Sequence, residues 1–416
     1  MRHRTLVTVL MLQLYAMLLA GVHFFEGLKT DEAKYLLNIP YPHPPFARSI
    51  LSATEWVPMH EWWWRCIFAT LLVQAVWLFV RCVPTDRMRA RMVVLVMYLM
   101  SSALVMQAGT IMMAPLSALF GAFFVTEILR TPSSNGKDSL RACGYGAVWF
   151  LSLFTAYQGI LFAPIVFASL VRLKISRVAR LTYFFVPLFL LALYTLSNPL
   201  AAASILNLGL EGSGPSARDM LDDTLALWLL SGCIIAPLLG IVGIWKSRSW
   251  SMLLTLSLML LYSTLSFHEY YAILFLPLSV GGTVALLKQR AREGSLLLSD
   301  RVLFPLAIIG LVVALAVSGR LFVSRFHTDV TAKNTLHIII DTYSSADTSR
   351  ENICMVGHFG HEWQYASRVP IVKYTEAAKA SCRFVICTLE RDCVLPAGMR
   401  EIGRFRRATV YSATRK

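Results

Sequence analysis

The sequence predicts a mostly α-helical, polytopic membrane protein of about 11 transmembrane helices with a small C-terminal α/β domain. Three observations carry this expectation. Of 416 residues, 56% are hydrophobic and only 15% charged, and the mean hydropathy is +0.59; a soluble chain of this length needs more charge at its surface. The apolar residues come in blocks close to the ~20 residues that span a bilayer. The basic residues behind the net charge of +15 fall in alternate gaps between those blocks. That is the positive-inside distribution, and not the single basic patch of a nucleic-acid binder.

The first block, 5 to 25, has no A-x-A cleavage signal before the charged stretch that follows, so it reads as an uncleaved first helix. Further spans are expected at 62 to 82, 92 to 107, 110 to 129, 143 to 156, 159 to 171, 181 to 197, 225 to 245, 251 to 266, 271 to 287 and 302 to 322. Charge decides two boundaries. A break at Tyr157-Gln158-Gly159 keeps Arg141 and Arg172 on one side, and the same rule splits 92 to 129 at Gly109. With the N-terminus inside, the outer face receives loop 26–61, loop 198–224, the short His268-Glu269 turn and everything beyond 322. Loop 198–224 contains the flexible run 212 to 216, GSGPS, and its acids open the next helix, where negative charge is favoured.

Past residue 322, charges of both signs and turn residues replace the long apolar blocks. The β-branched runs 336 to 340, 353 to 356, 383 to 389 and 408 to 412 predict strands, with helices at 361 to 368 and 375 to 381. A domain 323–416 is therefore expected beside a transmembrane domain 1–322. Four of eight cysteines, Cys354, Cys382, Cys387 and Cys393, lie in it, an even number compatible with disulfides on an oxidising face, and their three pairings stay open. Cys66, Cys82, Cys143 and Cys233 sit in or beside spans and read as buried small apolar residues. His358 and His361 lack a third ligand at clear spacing and read as part of a strand-to-helix loop, so no metal site is assigned. There is no P-loop or dinucleotide fingerprint, which leaves nucleotide-driven transport unsupported. No cofactor is assigned, and use of a divalent cation is left open.

Polar chemistry concentrates in 29 to 48, KTDEAKYLLNIPYPHPPFAR, just past the first apolar block. Adjacent residues do not share a helix face, so only one of Asp31 and Glu32 can point into a given pocket. In one reading Asp31 caps the helix through Tyr35 and Leu36 while Glu32 faces water. In the other, a carboxylate at the membrane surface is a general base that activates an acceptor hydroxyl or amine. Asp31 is then the expected base, with Glu32 as its substitute.

The order of a first span, D-E-A-x-Y at Asp31, Glu32 and Tyr35, a loop with Pro44 and Pro45 in H-P-P-F, an amphipathic stretch 47 to 53 and a second span opening at 62 to 65 carries a likeness. It resembles the GT-C class of integral-membrane glycosyltransferases, and within it the branch of aminoarabinose transferases and protein O-mannosyltransferases. The motif is short; elsewhere the resemblance is of layout. It implies an acidic residue of the first outer loop at the catalytic centre and a donor sugar on a polyprenyl phosphate. Such a donor needs cations to hold the phosphate as leaving group, which makes Lys34, His43, Arg48 and Arg65 substrate-binding candidates. Each of these taken singly also reads as an interfacial residue reaching for headgroups. The resemblance further makes His268 and Glu269 substrate contacts, although a tight outer turn needs polar residues in any case. Two departures stand out: Met112 to Pro115 occupy the place where the branch often has an Asp, and His43 stands where a Lys commonly precedes the Pro pair.

The expected protein is a glycosyltransferase of a bacterial inner membrane, its N-terminus cytoplasmic and its C-terminus extracytoplasmic. It would move a sugar from a polyprenyl-phosphate donor to a lipid, glycan or protein acceptor at the outer face. Its other partner is the lipid bilayer, and none is nucleic acid. The alternative is a non-enzymatic binder of lipid-linked sugars, a flippase or a transporter subunit on the same scaffold, which would not need the carboxylate.

Overall fold

The structure, a computed structural model, describes residues 2–39, 42–83, 88–99, 101–130, 138–206, 217–231, 235–265, 271–293, 353–356, 371–373, 384–387, 398–405 and 408–413. It also describes the single positions 305, 308, 309, 312, 316, 319, 323, 362, 364, 365 and 382. The chain is mostly helical. In order come α1 (Arg2–Glu26), α2 (Thr30–Leu36), α3 (Phe46–Ala53), α4 (His60–Val80), α5 (Met88–Leu99), α6 (Ser102–Gln107), α7 (Met113–Leu129) and α8 (Asp138–Thr155). A 3₁₀ helix, Tyr157–Phe162, leads into α9 (Ala163–Val171), followed by α10 (Arg177–Ser197), α11 (Pro199–Leu206), α12 (Ala217–Ser231), α13 (Ile235–Lys246), α14 (Trp250–Ser263) and α15 (Ala272–Glu293).

Among the described residues, four helices are long and apolar enough to cross a membrane, within α1, α4, α10 and α15, and four shorter apolar helices accompany them. The helical path breaks at Gly109, whose φ is 98°, and at Tyr157–Phe162. The span expected at 225 to 245 is divided between α12 and α13, with 232 to 234 outside the described residues. Within 302 to 322, every described position is helical. Loop 198–224 begins with α11, because Asn198 Oδ1 accepts the N–H of Leu200 at 3.1 Å and Pro199 suits the first helical position. Residues 207 to 216 lie outside the described residues.

The chain divides into two compact units: Met1–Gly21 with Tyr41–Ala47 and Glu61–Phe322, and Val22–Pro40 with Arg48–His60 and Val323–Lys416. In the first, α15 is the most enclosed span, with 89% of its apolar window buried against 17% for α10. It meets α13 backbone to backbone. A Cβ at Gly240 would lie 2.6 Å from the Ser279 carbonyl oxygen, and one at Gly243 would run into the Gly282 carbonyl, so only glycine permits this approach. In α1, Leu12, Ala16, Leu19 and Ala20 are buried at helical spacing, whereas Leu6, Leu10, Leu14 and Leu18 are exposed. An apolar face left uncovered suits lipid, which solvates it as well as another helix would.

In the second unit, β1 (Ile353–Val356), β2 (Ile371–Lys373), β3 (Phe384–Cys387), β4 (Met399–Phe405) and β5 (Ala408–Ala413) form a sheet in the order β2-β1-β3-β5-β4. β1 runs parallel between β2 and β3, and β5 is antiparallel to both β3 and β4. Cys354, Cys382, Val385 and Cys387 form the core of the sheet. Cys354 is bonded to Cys382, with their Cα atoms 5.6 Å apart. Cys387 is also in a disulfide.

The strands expected at 353 to 356, 383 to 389 and 408 to 412 appear as β1, β3 and β5. β2 and β4 were not expected: β2 has three residues, and β4 is an edge strand whose Arg400, Glu401 and Arg404 mask its alternation. The expected strand 336 to 340 and helix 375 to 381 lie outside the described residues, as do Cys233, Cys393, His358 and His361. Cys66 and Cys82 are buried and free, but Cys143 is exposed. This corrects the expectation that it is buried: it shares an outward face of α8 with exposed Gly144 and Ala147.

Candidate functional site

Asp31, Glu32 and Lys34 lie on α2. Lys29 is extended (φ −91°, ψ 157°), its N–H donates to Glu32 Oε2 at 2.7 Å, and its carbonyl accepts Ala33 N–H at 3.0 Å. Together these start the helix. The Lys29 ammonium cannot accept a hydrogen bond, so the Glu32 half of a capping box is the half that chemistry allows. Glu32 is therefore buried, 0% exposed, and supplies the cap. This reverses the reading in which Asp31 caps and Glu32 faces water. Asp31 is left with 26% of its side chain exposed, and Lys34 Nζ reaches its Oδ1 at 3.1 Å across one turn.

The surroundings of α2 are held by other polar contacts of the same unit. Asn38 takes a left-handed backbone, φ 51°, and closes the helix. Arg48 on α3 donates to the Ile39 carbonyl at 2.8 Å, tying the segment after α2 to α3. At the end of α1, buried His23 and Glu26 pair through Nδ1 and Oε2 at 2.8 Å. His60 is clamped between Leu51 and Tyr365: its Nε2 contacts the Leu51 carbonyl at 2.7 Å and its Nδ1 the Tyr365 hydroxyl at 3.1 Å. A carbonyl only accepts, so Nε2 carries a proton.

His43 and Arg65 belong to the helical unit. The His43 ring lies 5.7 Å from that of Tyr157, whose hydroxyl donates to the Pro42 carbonyl at 3.0 Å, and the His43 carbonyl accepts from Tyr194 at 3.4 Å. Two tyrosines thus pin the proline segment. Arg65 is 1% exposed; its Nε donates to Glu61 Oε1 and its guanidinium to the Gly109 carbonyl, both at 2.9 Å. Gln158, also buried, donates to the hydroxyls of Tyr262 and Tyr271 at 3.2 and 3.0 Å, while its Oε1 has no hydrogen-bond partner. Exchanging the two ends of the amide would still leave one unsatisfied. His268 and Glu269 lie outside the described residues.

Of the predicted site residues, the structure joins Asp31, Glu32 and Lys34 on one short helix and engages Arg48 and Arg65 with backbone carbonyls. Glu26, His60, Glu61 and Gln158 were missed. The spacing of Glu61 and Arg65 at i,i+4 was a readable signal, and a lone Gln inside an apolar run was another. Among the described residues, no three His, Cys, Asp or Glu side chains are placed to hold a metal.

The long apolar helices mark the chain as an integral membrane protein, and a second unit carries the small mixed sheet. The fold is similar over nearly the whole chain to crystal structures of ArnT from Cupriavidus metallidurans. With the structure bound to undecaprenyl phosphate the TM-score is 0.65 at 12% identity, covering 98% of this chain and 97% of that one. With the apo state it is 0.61, also at 12% identity, covering 99% and 98%. No family model matches the chain, and no curated protein matches it in sequence.

Proposed function

We propose that the chain is a membrane glycosyltransferase that moves a sugar from a polyprenyl-phosphate carrier to a lipid, glycan or protein acceptor. The observation that carries this reading is the partly exposed Asp31–Lys34 pair beside buried Glu32, in a fold similar to that of a protein crystallised with undecaprenyl phosphate. Inverting transfer needs a base on one side of the anomeric carbon and a stabilised phosphate on the other. Asp31 is the accessible carboxylate and takes the proton of the acceptor hydroxyl or amine. Lys34 holds the carrier phosphate, whose charge grows from one to two as the sugar leaves, so the cation binds the transition state better than the donor. Moving Lys34 onto the phosphate also frees Asp31 when donor is bound. Glu32 keeps the first turn of α2 in place through its cap.

Further proposed contacts to substrate are His43, Arg48 and Arg65, with His268 and Glu269. The proposed frame is a transmembrane domain 1–322 of about 11 spans and a C-terminal domain 323–416 at the extracytoplasmic face of an inner membrane, with the N-terminus cytoplasmic.

The test is release of free polyprenyl phosphate from labelled lipid-linked sugars by protein in proteoliposomes. Asp31→Asn is expected to lower turnover about 10²- to 10⁴-fold. Glu32→Gln retains an acceptor at the third helical position and is expected to lose less. Full activity of both variants, correctly inserted, overturns the assignment.

A further inference from the structure

At the far end of α4 from Glu61, the helical unit gathers charge of one sign. Five cations from separate parts of the chain meet around the C-terminus of α7: Arg81, Arg130, Arg141, Arg172 and Lys288. Arg172 donates to the carbonyls of Glu127, at 3.4 Å, and of Ile128, and Lys288 Nζ donates to the Leu129 carbonyl. Arg130 pairs with Glu127, whose other oxygen accepts from Tyr145. Arg141 lies 3.9 Å from Asp138. Arg81, Arg130 and Lys288 all lie within electrostatic reach of the Cys82 thiol, which is 3.3 Å from the Leu78 carbonyl and 3.8 Å from that of Thr126. The acids named here, Glu127 and Asp138, are two against five.

Part of this assembly is helix chemistry. The last carbonyls of α7 have no partner within the helix, and cationic donors stabilise that end. Capping does not use up the cations, however. A guanidinium has five N–H donors and an ammonium three, and both Arg130 and Arg172 are exposed. Next to Arg172 in the chain, α9 and α10 leave Phe167, Val171, Val178 and Leu181 exposed. Excess positive charge at the end of an uncovered apolar strip, on a protein of the membrane, matches one ligand chemistry: a phosphate headgroup with acyl chains.

We infer that this end of the helical unit binds an anionic phospholipid, its phosphate held by Arg130 and Arg172 with Arg81 and Lys288 close by, and its chains against α9 and α10. A zwitterionic lipid is disfavoured because its ammonium would enter a field in which cations outnumber the acids Glu127 and Asp138. This site uses none of the residues of the Asp31 chemistry: its cations belong to the helical unit and Asp31 to the other.

The experiment is native mass spectrometry of the purified full chain, titrated with dioleoyl phosphatidylglycerol or dioleoyl phosphatidylcholine. The wild type is expected to bind phosphatidylglycerol about tenfold or more tightly than phosphatidylcholine. Arg81→Gln with Arg130→Gln leaves the Arg172 and Lys288 caps in place and brings that ratio close to one. Equal affinity of the wild type for the two lipids overturns the site, as does a preference that survives in the double variant. Millimolar inorganic phosphate should leave phosphatidylglycerol bound; displacement would mean that the cations serve a free anion and not a lipid.

Discussion

Arg65 and Arg172 do the same thing in different surroundings. Each donates to a backbone carbonyl of the helical unit, Arg65 to Gly109 and Arg172 to Ile128. Arg65 is 1% exposed and shares its charge with Glu61, whereas Arg172 stands exposed at the end of α9. As hydrogen bonds the two contacts are alike, guanidinium to carbonyl. Burial separates them, because removing one partner of a desolvated pair strands the other, whereas water replaces a lost contact at the surface.

The largest effect should come from Arg65→Met, which leaves the Glu61 carboxylate and the Gly109 carbonyl without their donor. The expected loss is about 3–5 kcal/mol, read as a lower unfolding midpoint of the purified protein in detergent. A loss under about 1 kcal/mol would mean that water already reaches the pair, and the contrast with Arg172 would collapse. A second substitution sharpens the point. Adding Glu61→Leu to Arg65→Met removes the stranded carboxylate, and should restore stability to within about 2 kcal/mol of wild type. If the double variant is as unstable as Arg65→Met, the cost lies with the Gly109 carbonyl and not with the ion pair.

The same contrast governs what could be read from the sequence. Lipid imposes apolar blocks, and the alternation of basic gaps follows from one-sided charge, so the membrane class was legible. The breaks at Gly109 and Tyr157–Phe162 followed from charge parity, but α5, α6, α12 and α13 are too short for hydropathy to delimit spans. In the candidate site, the concentration of polar residues in 29 to 48 was visible, yet which of Asp31 and Glu32 caps α2 was not. It turns on whether the helix starts at Thr30 or after Asp31, and a lysine before the first turn gives no capping signal. The His60–Tyr365 contact joins residues 305 apart. Such pairings depend on tertiary packing, and nothing local to either residue announces them. β4 was hidden for a related reason, since an edge strand keeps charges on positions that a central strand would make apolar.

The smallest effect distinguishes the two arginines most cleanly. Arg172→Gln removes a full charge but leaves an amide that can still donate to the Ile128 carbonyl, at a place where water competes for every contact. Its expected cost is about 1 kcal/mol or less. That cost should fall further in 1 M salt, where screening acts over roughly 3 Å. The loss in Arg65→Met should hardly change under the same conditions, because ions do not enter a buried pair. Unfolding midpoints of both variants at low and high salt would test this. Equal salt dependence in the two would show that burial, as seen in the structure, does not set the strength of these contacts.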